Sequence, residues 1–401
     1  MAEVFTGSFT QQEPISDAGI AAALNVLRHG RLHRYNEAPG EVSETTLLEE
    51  DFAAFVDAKY CLAVASGGGA MATALRACGV EPGERVLSNA FTLAPVPGAI
   101  AGVGAVPVLV GVTEELTIDL DDLRAKLGQA RVLMLSHMRG HICDMDRLMR
   151  LCDEAGVMVI EDCAHTMGAK WRDTWSGRHG VIGCYSCQTY KHVNSGEGGL
   201  LVSDDPDLMA RAILLSGSYM FYARHRAAPP PEAFAELRYE IPNMSGRMDN
   251  LRAAILRPQL AGLMDRARRW NARYRVIDAG LVGTPGLTLI KRPADERFVA
   301  SSHQFLLLDW PPARIAEVLE RCKARGVELK WFGAREPVGF TSTYDQWRYA
   351  GAEPMPASDR ILDAILDMRL PLTFSLEDCA LIARIIRTEV GAVHQAGGSA
   401  A

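Results

Sequence analysis

The sequence predicts an α/β protein in two parts: a large domain on a mostly parallel sheet flanked by helices, then a smaller C-terminal α+β domain. Three observations carry this. From Cys61 to Ser203, short apolar runs alternate with helical patterns. The runs are continuous rather than alternating, as strands covered on both faces require. After Gly286 the rhythm changes, and 401 residues with 48% hydrophobic and 23% charged side chains suit one large core and an appended smaller one.

Residues 1–60 read as a helical arm. Ser16 and Asp17 can cap a helix carrying Ile20, Leu24, Val26 and Leu27, and Gly30 is a stop signal. A polar loop, Asn36 to Val42, precedes a second helix from Leu47 to Val56 with Leu48, Phe52 and Phe55 on one face. The large domain, 61–260, follows. Its strand runs are CLAVA at Cys61, RVL at Arg85, AVPVLV at Ala105, VLML at Val132, VMVIE at Val157 and GLLVS at Gly199. Helices are predicted over Ala70–Ala77, Ala94–Val103, Leu120–Leu127 and Met145–Ala155. One long helix, Arg247–Ala279, interrupted near Pro258, links the domains. Residues 261–393 hold that linker and the small domain. Its strands fall near Leu287–Ile290, Gln304–Leu308 and Met368–Leu370, and its helices at Ala313–Ala324 and Glu377–Ile386. Residues 394–401 (HQAGGSAA) read as a disordered tail.

Composition excludes several function classes. A net charge of −7 leaves no chain-wide basic footprint for nucleic acid. The N-terminus has neither a basic cap nor an apolar run, so no signal peptide is expected. Val86–Val112 is uncharged, but Pro95, Pro97 and Pro107 break it into strand, helix and strand rather than a membrane span. Nine scattered cysteines read as reduced core residues of a cytoplasmic protein.

Four clusters sit at strand ends, where open α/β sheets bind ligands. Ser66-Gly67-Gly68-Gly69 is a turn whose backbone can approach an anion, or simply a tight strand-to-helix connection. Asp162 and His165 follow VMVI; they can serve a protonated ring nitrogen, or act as a helix cap beside a core histidine. Lys191 closes a stretch uncharged back to Val181 and precedes a glycine-rich turn, Gly196 to Gly199. A lysine in such surroundings loses its proton easily and attacks carbonyls; a surface lysine would read the same. Asn243 to Met248 leads into the linking helix with Arg247 as an anion contact or a solvated side chain. Cys184 and Cys187 lack the second pair a zinc site needs. His137 and His141 have Gly140 between them and no carboxylate at helical spacing, so no metal set is predicted.

Taken in order, these clusters resemble the DegT/DnrJ/EryC1/StrS family of pyridoxal-phosphate aminotransferases over nearly the whole chain. The matches are Phe91-Thr92, EDCAHTMGA from Glu161, Ser186 to Lys191, GEGG from Gly196, and RMDNLRAA from Arg247 followed by Gln259-Leu260. The resemblance implies fold type I and a homodimer with active sites at its interface. It implies that Lys191 forms the Schiff base with pyridoxal 5′-phosphate and later carries a proton. Asp162 would pair with the pyridinium nitrogen, and His165 would lie on the ring face. Ser186 and the Gly67, Gly68 and Gly69 backbone would hold the phosphate. Phe91, Gln188 and Ser245 fall among the cofactor-contacting positions, and Arg247 would reach across from the other subunit.

The chain departs from the family pattern in four places. Gly68 replaces a threonine, Leu93 an aromatic residue, Ser245 an asparagine and Gln188 a histidine. Retention of Lys191 argues against the family's dehydratase branch. The function implied is amino transfer from an amino-acid donor, glutamate or glutamine, to a ketone or aldehyde such as a keto-sugar or nucleotide-linked sugar. The alternatives are another pyridoxal-phosphate enzyme (lyase, racemase or C–N bond-forming) and a non-catalytic regulator. Arg139, Arg247 and Arg335 are candidate carboxylate clamps. The segment from Trp331 to Trp347 either lines the acceptor pocket or packs the small domain. Cys163 and Cys187 are expected inside the cofactor site, which would make it sensitive to oxidation.

Overall fold

The computed structural model describes residues 3–398. Its centre is a seven-stranded sheet: β1 (Tyr60–Val64), β2 (Arg85–Asn89), β3 (Val106–Val110), β4 (Val132–Ser136), β5 (Met158–Asp162), β6 (Ile182–Ser186) and β7 (Gly199–Ser203). Their spatial order is β1-β7-β6-β5-β4-β2-β3. The pairs β2–β3, β2–β4, β4–β5 and β5–β6 are parallel, and β7 runs antiparallel to both β6 and β1. The sheet interior is almost wholly apolar because helices cover both faces, as the continuous runs require. The family's fold type I architecture is therefore present. β6 went unassigned in the sequence because its run, IGCYS, is short and broken by Gly183.

Val86–Val112 forms β2, the helix Pro95–Gly102 and β3. Among the described residues no helix is long and apolar enough to cross a membrane. The arm helix Asp17–His29 is capped by the Ser16 side chain and stopped by Gly30 at φ 72°. The linking helix differs from the expectation. It begins at Asn250, capped by Asp249, so Arg247 lies before it in an extended segment bridged to Val64. Its break falls at Gly262, between helices Asn250–Ala261 and Leu263–Leu281, and Pro258 stays inside the first.

The small domain carries a four-stranded sheet: β8 (Thr288–Leu289), β9 (Ser302–Leu306), β10 (Lys330–Trp331) and β11 (Ile365–Arg369), in the order β8-β9-β11-β10. Two boundaries need correction. The first residues of the arm belong to the small domain: Phe5 and Phe9 pack edge-on to Phe374 at 4.9 and 5.0 Å, and Phe5 N–H donates to the Arg325 carbonyl. The tail expected to be disordered from 394 continues the last helix, Leu376–Gly398, while 399–401 lie outside the described residues.

Candidate active site

The carboxyl ends of the parallel strands converge on one side of the sheet. β4 ends at Ser136 and β5 at Asp162, which are register partners in a parallel pair. Ser136 Oγ donates to Asp162 Oδ2 at 2.9 Å and accepts from Thr92 Oγ1 at 2.8 Å. Asn89, at the end of β2, holds the Ser136 backbone through both its amide atoms, each at 2.9 Å. Ala164 N–H donates to Asp162 Oδ1 at 3.1 Å. The carboxylate is buried at 6% exposure and braced from behind, with acceptor capacity left on each oxygen. Of the relay Asn89–Ser136–Thr92, only Thr92 was singled out in the sequence, as part of the Phe91-Thr92 match; Asn89 and Ser136 were not.

Lys191 Nζ lies 3.0 Å from His165 Nε2. Burial lowers the pKa of Lys191, Arg139 lowers it further, and Asp162 only partly opposes them, leaving it at about 7. Burial, then the Lys191 and Arg139 charges, hold His165 well below its ordinary value, so the imidazole is neutral and can accept from the amine. The two side chains share a pocket of about 50 Å³ with Leu93, Arg139, Gln188 and Arg369. That is room for only one or two waters, so the pocket marks where these groups converge. A larger groove, about 950 Å³, opens in the small domain beside Trp310, Trp331 and Tyr344 and holds none of them. Arg335 lines that groove, not the lysine pocket.

The glycine cluster is not a free turn but the first turn of the helix Gly67–Ala77. Ser66 caps it, accepting from Gly69 N–H at 3.0 Å, and Ala70 N–H bonds the Ser66 carbonyl. The helix leaves the Gly67 and Gly68 N–H groups without intrahelical acceptors. A Cβ on Gly67 would sit 2.7 Å from Ser186 Cβ, so only glycine brings this backbone against the end of β6. Two free N–H groups, a serine hydroxyl and a helix N-terminus make an anion cradle.

Other predicted positions fall elsewhere. Phe91 is 1% exposed and meets Phe332 at 5.3 Å in the core, so its side chain does not line the lysine pocket. Gln188 lines the pocket, and its Oε1 accepts from Tyr190 N–H. Ser245, at φ 54°, and Arg247 do not line it. The Gly246 carbonyl accepts from Ala65 N–H, which sets this segment beside the glycine cradle. Arg247 Nη1 donates to the Gly217 carbonyl at 2.8 Å, with Tyr219 under the guanidinium. Of the aromatic segment, Phe332, Tyr344 and Trp347 are core, and only Phe340 reaches the lysine pocket.

The thiols of Cys163 and Cys187 do not line the pocket. Both are fully buried in a cluster on the far face of the sheet with Phe52, Leu200 and Leu256, because their neighbours Asp162 and Ser186 take the ligand side. All nine cysteines are buried and free. His137, Glu161 and Cys163 lie close enough to hold a metal ion, but Glu161 is already saturated. It accepts from His137 and from the Gly177, His179 and Gly180 N–H groups.

A poised lysine, a neutral imidazole beside it, a braced strand-end carboxylate and an anion cradle are the groups that pyridoxal phosphate requires. On this fold they define a pyridoxal-phosphate enzyme of fold type I. Residues 17–387 match the DegT/DnrJ/EryC1/StrS aminotransferase family, and the chain belongs to that family. A curated relative is the L-glutamine:2-deoxy-scyllo-inosose aminotransferase of Micromonospora echinospora, 31% identical over 70% of this chain and 70% of its own length. Another is the dTDP-3-amino-3,4,6-trideoxy-alpha-D-glucose transaminase of Streptomyces venezuelae, 32% identical over 67% and 66%. The solved structure of 3-amino-5-hydroxybenzoic acid synthase superposes with a TM-score of 0.82, at 25% identity, over 98% of this chain and all of that one.

Proposed function

We propose that this protein transfers an amino group from glutamine or glutamate to the ketone of a polyhydroxylated acceptor, a keto-sugar or cyclitol. The observation that carries the reading is Lys191, held at a pKa of about 7 within 3.0 Å of a neutral His165. Pyridoxal phosphate supplies the electron sink when bound. Lys191 would hold it through Nζ, and the same amine would carry the proton of the substrate carbon. A pKa near neutrality lets one group take and give that proton. His165 accepts from the lysine and would lie against the ring. Asp162, fixed by Ser136, would pair with the ring nitrogen and favour its protonated form. Gly67, Gly68 and Ser186 would hold the phosphate. Support for the donor and acceptor classes comes from the relatives, whose names specify glutamine, inososes and a nucleotide-linked sugar.

The same reading includes a homodimer in a reducing, cytoplasmic setting. Ile20, Leu24 and Leu27 on the arm helix, and Met220, Phe221 and Met244 near Arg247, form exposed apolar surface of the kind a partner subunit covers. Nine unpaired thiols suit a reducing compartment. The test is a donor screen followed by an acceptor panel. Glutamine or glutamate should aminate the bound cofactor, and inososes or nucleotide-linked keto-sugars should restore it. Turnover only with simple amines and aldehydes would reject the proposed substrates.

A further inference from the structure

The small domain grips one short loop of the active site. Residues 138–142 follow β4, and three hydrogen bonds hold them from the small domain. His141 Nε2 donates to Gln304 Oε1 at 2.9 Å, Ile142 N–H donates to Glu296 Oε1 at 3.1 Å, and the Gly140 carbonyl accepts from Arg292 Nη1 at 2.8 Å. A fourth contact is one of charge: Arg139 Nη2 lies 2.7 Å from Asp367 Oδ2. The same loop bears on the reacting groups. A Cβ on Gly140 would sit 3.1 Å from the His165 carbonyl oxygen, and Arg139 lines the pocket of Lys191. Arg139 stands at φ 55° and ψ 19°, a left-handed conformation that disfavours a residue with a side chain. The loop therefore accepts strain at the position whose side chain reaches the lysine pocket.

Asp367 anchors that side chain. It is fully buried on the polar face of β11, while Leu366 and Met368 on either side of it enter the apolar core. Its Oδ1 accepts from Gln304 Nε2 at 2.7 Å, which leaves Oδ2 to the cations. Lys330 Nζ lies 3.7 Å from that oxygen, farther than Arg139. No hydrogen bond aligns across the Arg139 contact: Nε and Nη2 of Arg139 and Oδ2 of Asp367 are buried without a hydrogen-bond partner among the described residues. Charge alone holds the guanidinium in a site where Arg139 is 7% exposed. A buried cation stays in place only while a counter-charge stays with it. We propose that Asp367 is a positioning residue: it holds the Arg139 guanidinium beside Lys191, so that docking of the small domain onto residues 138–142 brings a fixed positive charge to the reacting amine. Around Lys191 and His165 stand Asp162 and Arg139 of the large domain, His192 next in sequence, and Arg369 and Lys330 of the small-domain sheet. Among the charges acting on Lys191, Arg139 has the largest effect, and it disfavours the protonated amine as a like charge must. The inference rests on Lys191 as the reacting amine and deepens that reading, because the charge state of the amine is then set from the small domain.

The test is a carbon-13 NMR titration of the full-length, cofactor-free protein labelled at the lysine ε-carbon. The Lys191 signal is identified by its loss in Lys191→Arg. The wild-type midpoint should fall at about 7. Arg139→Met removes the charge and should raise the midpoint by about one pH unit. Asp367→Asn keeps the shape and the Gln304 contact but frees the guanidinium, and it should raise the midpoint similarly. Asp367→Ala carries the same expectation if the asparagine variant does not fold. In the double variant Arg139→Met/Asp367→Asn the midpoint should rise no further than in Arg139→Met alone, since Asp367 acts through Arg139. A midpoint that stays or falls in Asp367→Asn would overturn the proposal, as would additive shifts in the double variant. A fall would mean that Asp367 only neutralises Arg139. Capture of pyridoxal phosphate by the same proteins separates the two readings. Midpoints that move as expected in a protein that captures no cofactor would sink the aminotransferase reading and leave the role of Asp367 standing. Unmoved midpoints in a protein that captures cofactor and transfers amino groups would do the reverse.

Discussion

At the scale of residues, the account turns on how burial and neighbouring cations set the chemistry of Lys191. An ordinary lysine is protonated near neutrality and so is a poor nucleophile. Burial and Arg139 bring Lys191 to about 7. The sign follows directly: the neutral, reactive amine gains population as pH rises through that value. The rate at which cofactor-free protein captures pyridoxal phosphate should therefore climb through about pH 7 and level off above it. A rate that still climbs towards pH 10 would show an unperturbed amine. Asp162, His165, Ser186 and Lys191 were legible in the sequence because their order and spacing are local. Arg369 was not, since it lies far along the chain from Lys191 and meets it only through docking of the small domain. The displacement of Phe91 and of the Cys163 and Cys187 thiols has one physical cause. Each follows a strand end and turns its side chain into an apolar cluster, and sequence adjacency to a site residue does not place a side chain in the site.

Among the elements, the junction of arm and sheet is the best-determined piece of electrostatics. Arg34 and Glu49 form a bidentate pair with both contacts at 2.8 Å and essentially no exposure. Glu49 also accepts from the Ala63 N–H of β1, and His225 completes the cluster. Burial alone would raise the Glu49 pKa, but Arg34 and His225 override it and bring it down to about 2. A depressed carboxylate stabilises the fold above its ordinary range, and that stabilisation disappears as pH falls through about 2. Removing one partner strands the other. Glu49→Gln should destabilise the protein by about 3–5 kcal/mol in denaturant unfolding, because a buried guanidinium loses its counter-charge. A loss below about 1 kcal/mol would mean that the pair is wet and weak. The caps of the arm helix were readable from sequence, as Ser16 and Gly30 show. The break at Gly262 was not, because Pro258 gave the stronger local signal yet is accommodated within a helix.

For the whole molecule, the arrangement places a rigid sheet end and a polar small-domain face on two sides of one lysine. The N-terminal segment crosses between them: Phe5 and Phe9 pack in the small domain, and the helices that follow pack on the large one. That long-range return was invisible in a linear reading, which put residues 1–60 in a single arm. The proposed dimer gives Arg247 and Ser245 a role outside their own lysine pocket, and mixing variants tests it. Lys191→Ala and Arg247→Ala proteins, each inactive or impaired alone, should recover activity when their subunits exchange, because one hybrid site then carries both native residues. No recovery after verified exchange would place Arg247 in the service of its own chain.

The most direct measurement is the absorbance spectrum of the protein with pyridoxal phosphate, before and after an amino donor. The wild type should show the visible band of lysine-bound cofactor. Glutamine or glutamate should convert it to the band of the aminated cofactor with release of the matching oxo acid, and Lys191→Ala should show neither step catalytically. A wild type that never forms the lysine-bound band, or a Lys191→Ala variant that turns over normally, would contradict the account at its centre.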